Sequence, residues 1–127
     1  MDIEHLPRGE LTVQVLAMPK DTNANGDIFG GWLVANMDMG GGIEARRHSG
    51  SRVVTVAIDA MRFIKPVNIG DLVSCYAELL KVGHTSMHYK IEVWTLSINQ
   101  EQQKKVAEGT FVYVAIDDLG NKQPVYK

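Results

Sequence analysis

The sequence predicts an α+β fold, an antiparallel sheet of about five strands wrapped around one long central helix. Three observations carry this. The stretch from Gly31 to His48 contains no proline and repeats apolar residues at helical spacing. Runs of β-type character lie on both sides of it, one before and four after. The links between the later runs are of hairpin length, which suits antiparallel neighbours and not the long crossovers of a parallel sheet.

In chain order, a short polar lead precedes Glu10 to Met18, where Leu11, Val13, Val15 and Ala17 alternate up to Pro19. Asn23, Asn25, Gly26 and Asp27 then form a polar turn, since Asn and Asp bond their own backbone and Gly accepts positive φ. The helix carries Leu33, Val34, Met37, Ile43 and Ala45 and ends at Ser49, Gly50 and Ser51. Asp38 sits between Met37 and Met39, seven residues after Gly31 and so on the same face. Gly40, Gly41 and Gly42 follow, and three interior helix glycines together cost about 2 to 3 kcal/mol relative to alanine. Close approach of a sheet or a second helix, which a Cβ would obstruct, is the expected compensation.

Val53 to Ile64 is apolar in both alternating sets and is expected to be covered on both faces, on one side by the helix and on the other by a partner subunit. Lys65, Pro66, Asn68 and Gly70 interrupt the pattern before Leu72 to Val82 resumes it. In Ser86 to Ser97 the sides separate, with Met87, Tyr89, Ile91 and Val93 opposed to His88, Lys90 and Glu92, which predicts a wet face. Val106 to Asp117 is the last strand and is apolar on both faces, and Asp118 to Lys127 is expected to be a tail.

Composition narrows the function classes. The 127 residues suit a single domain, with 22% charged and 45% hydrophobic residues. A formal charge of −2 argues against broad nucleic-acid binding, although Arg46, Arg47, Arg52, Arg62, Lys65 and Lys81 offer local positive charge to a phosphorylated ligand. The lone cysteine, Cys75, rules out an internal disulfide and falls at a core position. No basic region followed by an apolar run opens the chain and no stretch has the length of a membrane span, so a cytoplasmic protein is expected. His48, His84 and His88 lack ligand spacing, and no metal is expected.

Asp38 has two readings. In the plain one it is a partly exposed helix carboxylate or pairs with Arg46 or Arg62. In the other, unpaired N–H groups at a glycine-led helix start polarise a carbonyl oxygen, while the carboxylate activates water or attacks directly.

DTNANGDIFGGWLVANMDMGGG, VVTVAIDAMRFIKPVNIGD, KVGHTSM and IEVW, in this order, resemble the hotdog-fold acyl-CoA thioesterases of the YciA-like group. The likeness spans nearly the whole chain and is most specific from Asp21 to Gly41. It implies the hotdog fold, hydrolysis of acyl-CoA to free acid and CoA, and a pantetheine arm threaded between two protomers. It further implies Asp38 as the catalytic carboxylate, with Gly30 and Gly31 at the thioester carbonyl. Asn23 would lie near the neighbouring protomer's aspartate, with Asn25 and Asp27 as alternatives. Apart from the resemblance, Thr55, in a strand expected to face the helix, either orients water or the thioester or is a plain β-branched strand residue. Lys65 lies in the family's FIKPV piece; Gly83, Thr85 and Ser86, in the turn from Val82 to Ser86, either offer backbone and hydroxyl groups to the CoA phosphates or form a plain hairpin turn. CoA enters only as part of substrate and product, without a separate cofactor, and self-association runs from dimers to a tetramer or hexamer. Gly42 and Glu44 depart from the small or apolar residues expected there. Two other functions fit less well: a hydratase, because no histidine stands in the turn or early helix, and a non-catalytic acyl-CoA binding or sensing module, because no signalling segment is attached.

Overall fold

Alternation places Val73, Cys75 and Ala77, Met87, Tyr89, Ile91 and Val93, and Phe111, Tyr113 and Ala115 on one side of a sheet, and the computed structural model buries all of them in one core. It describes residues 6–127; the start of the polar lead, residues 1–5, lies outside them. The elements are β1 (Glu10–Leu16), α1 (Gly30–Ser49), β2 (Arg52–Phe63), β3 (Leu72–Val82), β4 (Ser86–Leu96) and β5 (Lys104–Ile116). The five strands form one antiparallel sheet in the order β1-β3-β4-β5-β2. Since β1 and β2 occupy opposite edges, the helix that joins them in sequence must cross the whole sheet. It does so, packing against all five strands and adding Leu33, Met37 and Ala45 to the core.

The boundaries have local causes. β1 stops at Leu16 because Pro19–Asp21 forms a single 3-10 turn, in which an Asp21 carboxylate oxygen accepts the Met18 N–H at 3.0 Å. α1 ends at Gly50, whose φ of 65° is left-handed and whose N–H reaches the Arg46 carbonyl at 2.8 Å.

The glycine run is explained in two of its three positions. A Cβ on Gly40 would collide with the Thr12 hydroxyl of β1, and one on Gly41 would collide with the Tyr113 hydroxyl of β5. At Gly42 the nearest atom, on the Tyr113 ring, would be 3.7 Å away, an ordinary contact. Over this turn, which carries Asp38, hydroxyl side chains of β1 and β5 thus occupy the space that a Cβ on the helix would take.

Two expectations need correction. The polar side of β4 is not wet: Glu92 is 4% exposed, and its carboxylate accepts the Trp94 indole N–H at 3.1 Å and the Arg8 N–H at 3.2 Å and faces the Lys105 ammonium at 3.5 Å. The segment after β5 is not a loose tail either. The Gln123 N–H bonds the Ala115 carbonyl, the Val125 N–H bonds the His84 carbonyl, and Val125 is buried. β2 is an edge strand whose side expected to meet the helix is partly buried, while the side expected to meet a partner subunit is exposed on the single chain. Val53, Ala57 and Met61 are partly buried, whereas Val54, Val56 and Ile58 are 41%, 54% and 43% exposed. Irregular pairing between Thr55 and Ala57 and between Asp59 and Arg62 bends this edge, and Ala60, at φ 52°, adopts a left-handed conformation that is costly for a residue with a Cβ.

Candidate active site

Polar turn chemistry sets the entrance to the helix. The Asn23 side-chain oxygen accepts the N–H groups of Asn25 at 2.9 Å and Asp27 at 3.2 Å, and Gly26 supplies the positive φ of 82°. The carbonyl side of Asn23 is thus spent on the turn, while its amide NH2 has no partner among the described residues. Phe29 caps the helix without a side-chain hydrogen bond, and no acidic residue occupies the first turn. The N–H groups of Gly30 and Gly31 therefore keep the positive end of the helix dipole open.

Asp38, two turns further on, is held by two hydroxyls from the sheet. Thr55 of β2 donates to Oδ1 at 2.6 Å. The Tyr113 hydroxyl of β5 lies 2.9 Å from the Asp38 carbonyl and 3.2 Å from Oδ1, a shared donation that Gly41 permits by lacking a Cβ. Both donors converge on one oxygen, and Oδ2 has no partner among the described residues. Burial, reinforced by the Asp38 charge, pushes the Tyr113 phenol far above its ordinary range, so it remains a donor at any working pH. Arg62 pairs instead with Glu108 at 3.5 Å, and Arg46 forms no ion pair among the described residues, so the plain ion-pair reading of Asp38 has no partner. A carboxylate with one oxygen fixed and the other open is equipped to take a proton from water or to attack an acyl carbon.

The chain brings only some of the anticipated residues together. Gly30 and Lys65 line a cleft of about 470 Å³ with Ile28, Leu33, Phe63 and Val67, an apolar recess at the helix start. Thr55 joins Asp38, but no hydrogen bond links Asn23 to Asp38 within the chain. Gly83, Thr85 and Ser86 lie away from this cleft but within one rung of the Asp38 clamp, since Met87 pairs with Tyr113 and Tyr113 with Thr55. Ser86 stands opposite Val114, whereas Phe63 stands opposite Ala107, so the 83–86 turn is at the end of the sheet away from the cleft. Its backbone is also engaged, the Gly83 N–H with the Ser86 carbonyl and the Thr85 carbonyl with the Ala115 N–H.

Tyr113 is the site residue that sequence reasoning missed. It lies 75 positions from Asp38 and reads as one of several apolar residues in β5. The available signal was that a tyrosine in a fully buried alternation needs a partner for its hydroxyl, and that three helix glycines need something large opposite them. Among the described residues no three metal-ligating side chains converge.

With this geometry in place, comparison with known proteins is specific. The family model described as Thioesterase superfamily matches residues 25–101. The chain is 48% identical over 126 residues to the acyl-CoA thioester hydrolase YciA of Salmonella typhimurium, covering 97% of this chain and 95% of that one. It is 49% identical over 119 residues to YciA of Escherichia coli, covering 91% and 90%. Among solved structures, a hexameric thioesterase from Yersinia pestis superposes with a TM-score of 0.91 at 51% identity, over 96% of this chain and 99% of that one. An acyl-CoA hydrolase from Staphylococcus aureus, in complex with butyryl coenzyme A and coenzyme A, gives 0.84 at 31% identity, over 90% and 70%.

Proposed function

The chain belongs to the thioesterase superfamily, and we propose that it is an acyl-CoA thioester hydrolase, a single hotdog domain that converts acyl-CoA and water to free acid and CoA with Asp38 as its working carboxylate. The observation that carries this reading is the double hydroxyl clamp on Asp38 Oδ1, which leaves Oδ2 for chemistry.

A thioester is already activated, so the demands are modest. The N–H groups of Gly30 and Gly31, with no acidic side chain to neutralise the helix end, suit a carbonyl oxygen that gains charge as it is attacked. Asp38 takes one of two roles. As general base, Oδ2 removes a proton as the water oxygen bonds to the acyl carbon; the C–S bond then breaks and the proton returns to the CoA thiolate. As nucleophile, Oδ2 itself bonds to the acyl carbon and expels the thiolate, giving a mixed anhydride that water hydrolyses. Trapping of an acylated Asp38 separates the two. Thr55 and Tyr113 act in both by fixing the carboxylate.

Asn23 is assigned to the neighbouring protomer's site. Its exposed position and its uncommitted NH2 support this, as does the absence of a hydrogen bond to Asp38 of its own chain. The outward apolar residues of β2 support a dimer as the smallest assembly, and the hexameric state of the Yersinia pestis relative supports a larger one. Mixing tests the sharing. Asp38→Asn and Asn23→Ala proteins, unfolded and refolded together, should restore full pairs of groups in about a quarter of all sites. Activity fixed at the mean of the two variants would mean that Asn23 serves its own chain or that Asn25 or Asp27 takes the role.

Thiol release from a panel of acyl-CoA substrates tests the reaction itself. Turnover across part of the panel is expected; binding of acyl-CoA without any thiol release would make the protein a binding module instead.

A further inference from the structure

α1 carries apolar residues on two sides. One stripe, Leu33, Met37 and Ala45, enters the core. A second runs through Phe29, Trp32, Asn36, Met39, Ile43 and Arg46, at spacings that alternate between three and four residues. At about 100° per residue, Trp32, Asn36, Met39 and Ile43 stand about 100 to 160° around the helix from Asp38. Asp38 is on the flank that meets β2, through Thr55, so a subunit contact made by β2 leaves the second stripe open. Phe29, Met39 and Ile43 are 43%, 56% and 40% exposed, and Trp32 is only partly buried. The Asn36 NH2 bonds back to the Trp32 carbonyl at 2.9 Å, and its side-chain oxygen has no partner among the described residues. A long helix that is apolar on its outer side as well as its inner one is built to be covered twice.

The spacing is that of a seam between two helices, with Phe29, Asn36 and Ile43 in one position of the repeat and Trp32, Met39 and Arg46 in the other. Such a seam is self-complementary when one copy is reversed, because residues of the first kind then face residues of the second. Trp32 meets Ile43 of the partner subunit, Asn36 meets Met39 of the partner subunit, and the Arg46 guanidinium reaches the ring of Phe29 of the partner subunit. Antiparallel helices also set their dipoles in opposition. The larger assembly proposed above needs such a second surface, since a two-fold contact through β2 alone closes at two chains. We propose that the outer stripe of α1 is that surface, and that its occupant is the same helix of a second copy, packed antiparallel. This rests on the assembly reading in the preceding subsection and names the face that builds it. The helix that carries Gly30, Gly31 and Asp38 is then held from both sides, by its own sheet and by the helix of another copy.

Met39→Lys and Ile43→Lys test the surface, because both side chains are exposed on the single chain and neither change disturbs its core. By light scattering each variant should fall from the wild-type assembly to dimers, since the β2 contact is untouched. The second measurement follows oxidation of Met39 by hydrogen peroxide with mass spectrometry. In the wild-type assembly Met39 should oxidise about tenfold more slowly than in the denatured chain, and in the Ile43→Lys dimer its rate should rise toward the denatured value. Neither readout depends on turnover, so failure of this surface stays distinct from failure of the hydrolase reading. Folded variants that keep the wild-type mass would overturn the proposal. So would variants that fall to monomers, which would assign the stripe to the dimer contact. Oxidation of Met39 in wild type at the denatured rate would overturn it as well, and that result stands whether or not the variants fold.

Discussion

Tyr113 and Gly41 are two halves of one device: the glycine lets the hydroxyl reach the helix backbone, and the hydroxyl fixes the Asp38 carboxylate. Tyr113→Phe should lower kcat about tenfold with KM little changed and cost about 1 kcal/mol in a denaturant melt; unchanged kcat would remove the clamp from the mechanism. The glycines should respond differently from one another. Gly41→Ala should destabilise by about 1 to 3 kcal/mol, because its Cβ meets a buried ring. Gly42→Ala, with open contact distance, should stabilise by up to about 1 kcal/mol through helix propensity. Equal effects at the two sites would refute this account of the run. Cys75 is fully buried, and burial pushes its thiol up to about 12. It should resist thiol reagents at pH 8 until the chain unfolds; rapid labelling of the native protein would contradict the buried assignment.

Elements on the outer side of the sheet are tied by charge. Glu108 of β5 faces Lys105, Lys90 and Arg62 at 2.8, 3.6 and 3.5 Å. Its hydrogen bond with Lys105 holds its carboxyl below the ordinary range against the opposing effect of burial, and the same bond raises Lys105. A carboxylate with a depressed folded pKa contributes stability above its ordinary pKa of about 4.5, and that contribution is lost as pH falls through the folded value. Glu108→Gln should therefore be less stable than wild type at pH 7, with the difference closing below pH of about 4. A constant difference in urea melts across that range would show that charge plays no part. β2 carries the other element-scale claim. Its free edge and its outward Val54, Val56 and Ile58 predict that no stable monomer exists. Light scattering should find only multiples of 14.1 kDa, and a folded 14.1 kDa species at micromolar concentration would defeat the idea.

For the molecule as a whole, period and punctuation made the architecture legible. β3 falls on the residues anticipated for it, and the long helix starts one residue early, at Gly30, with Phe29 as its N-cap. What stayed hidden depended on which strands neighbour each other and where the ladder slips. Glu92 reads as solvent-facing in β4 alone, yet the Arg8 backbone and Lys105 come from distant parts of the chain to cover it. The Asp38 clamp likewise needs β2 and β5 side by side, with Thr55 opposite Tyr113, a pairing no local pattern specifies. Asp38 stood out in the sequence as a carboxylate between two methionines on the glycine face of the helix, and its proposed role came from the family resemblance. The central claim is that this carboxylate drives thioester hydrolysis, and Asp38→Asn, which keeps size and shape, addresses it directly. With wild type and variant matched for thermal stability, kcat for thiol release from acyl-CoA should fall by about 10² or more; near-full turnover by a well-folded Asp38→Asn protein would contradict the account.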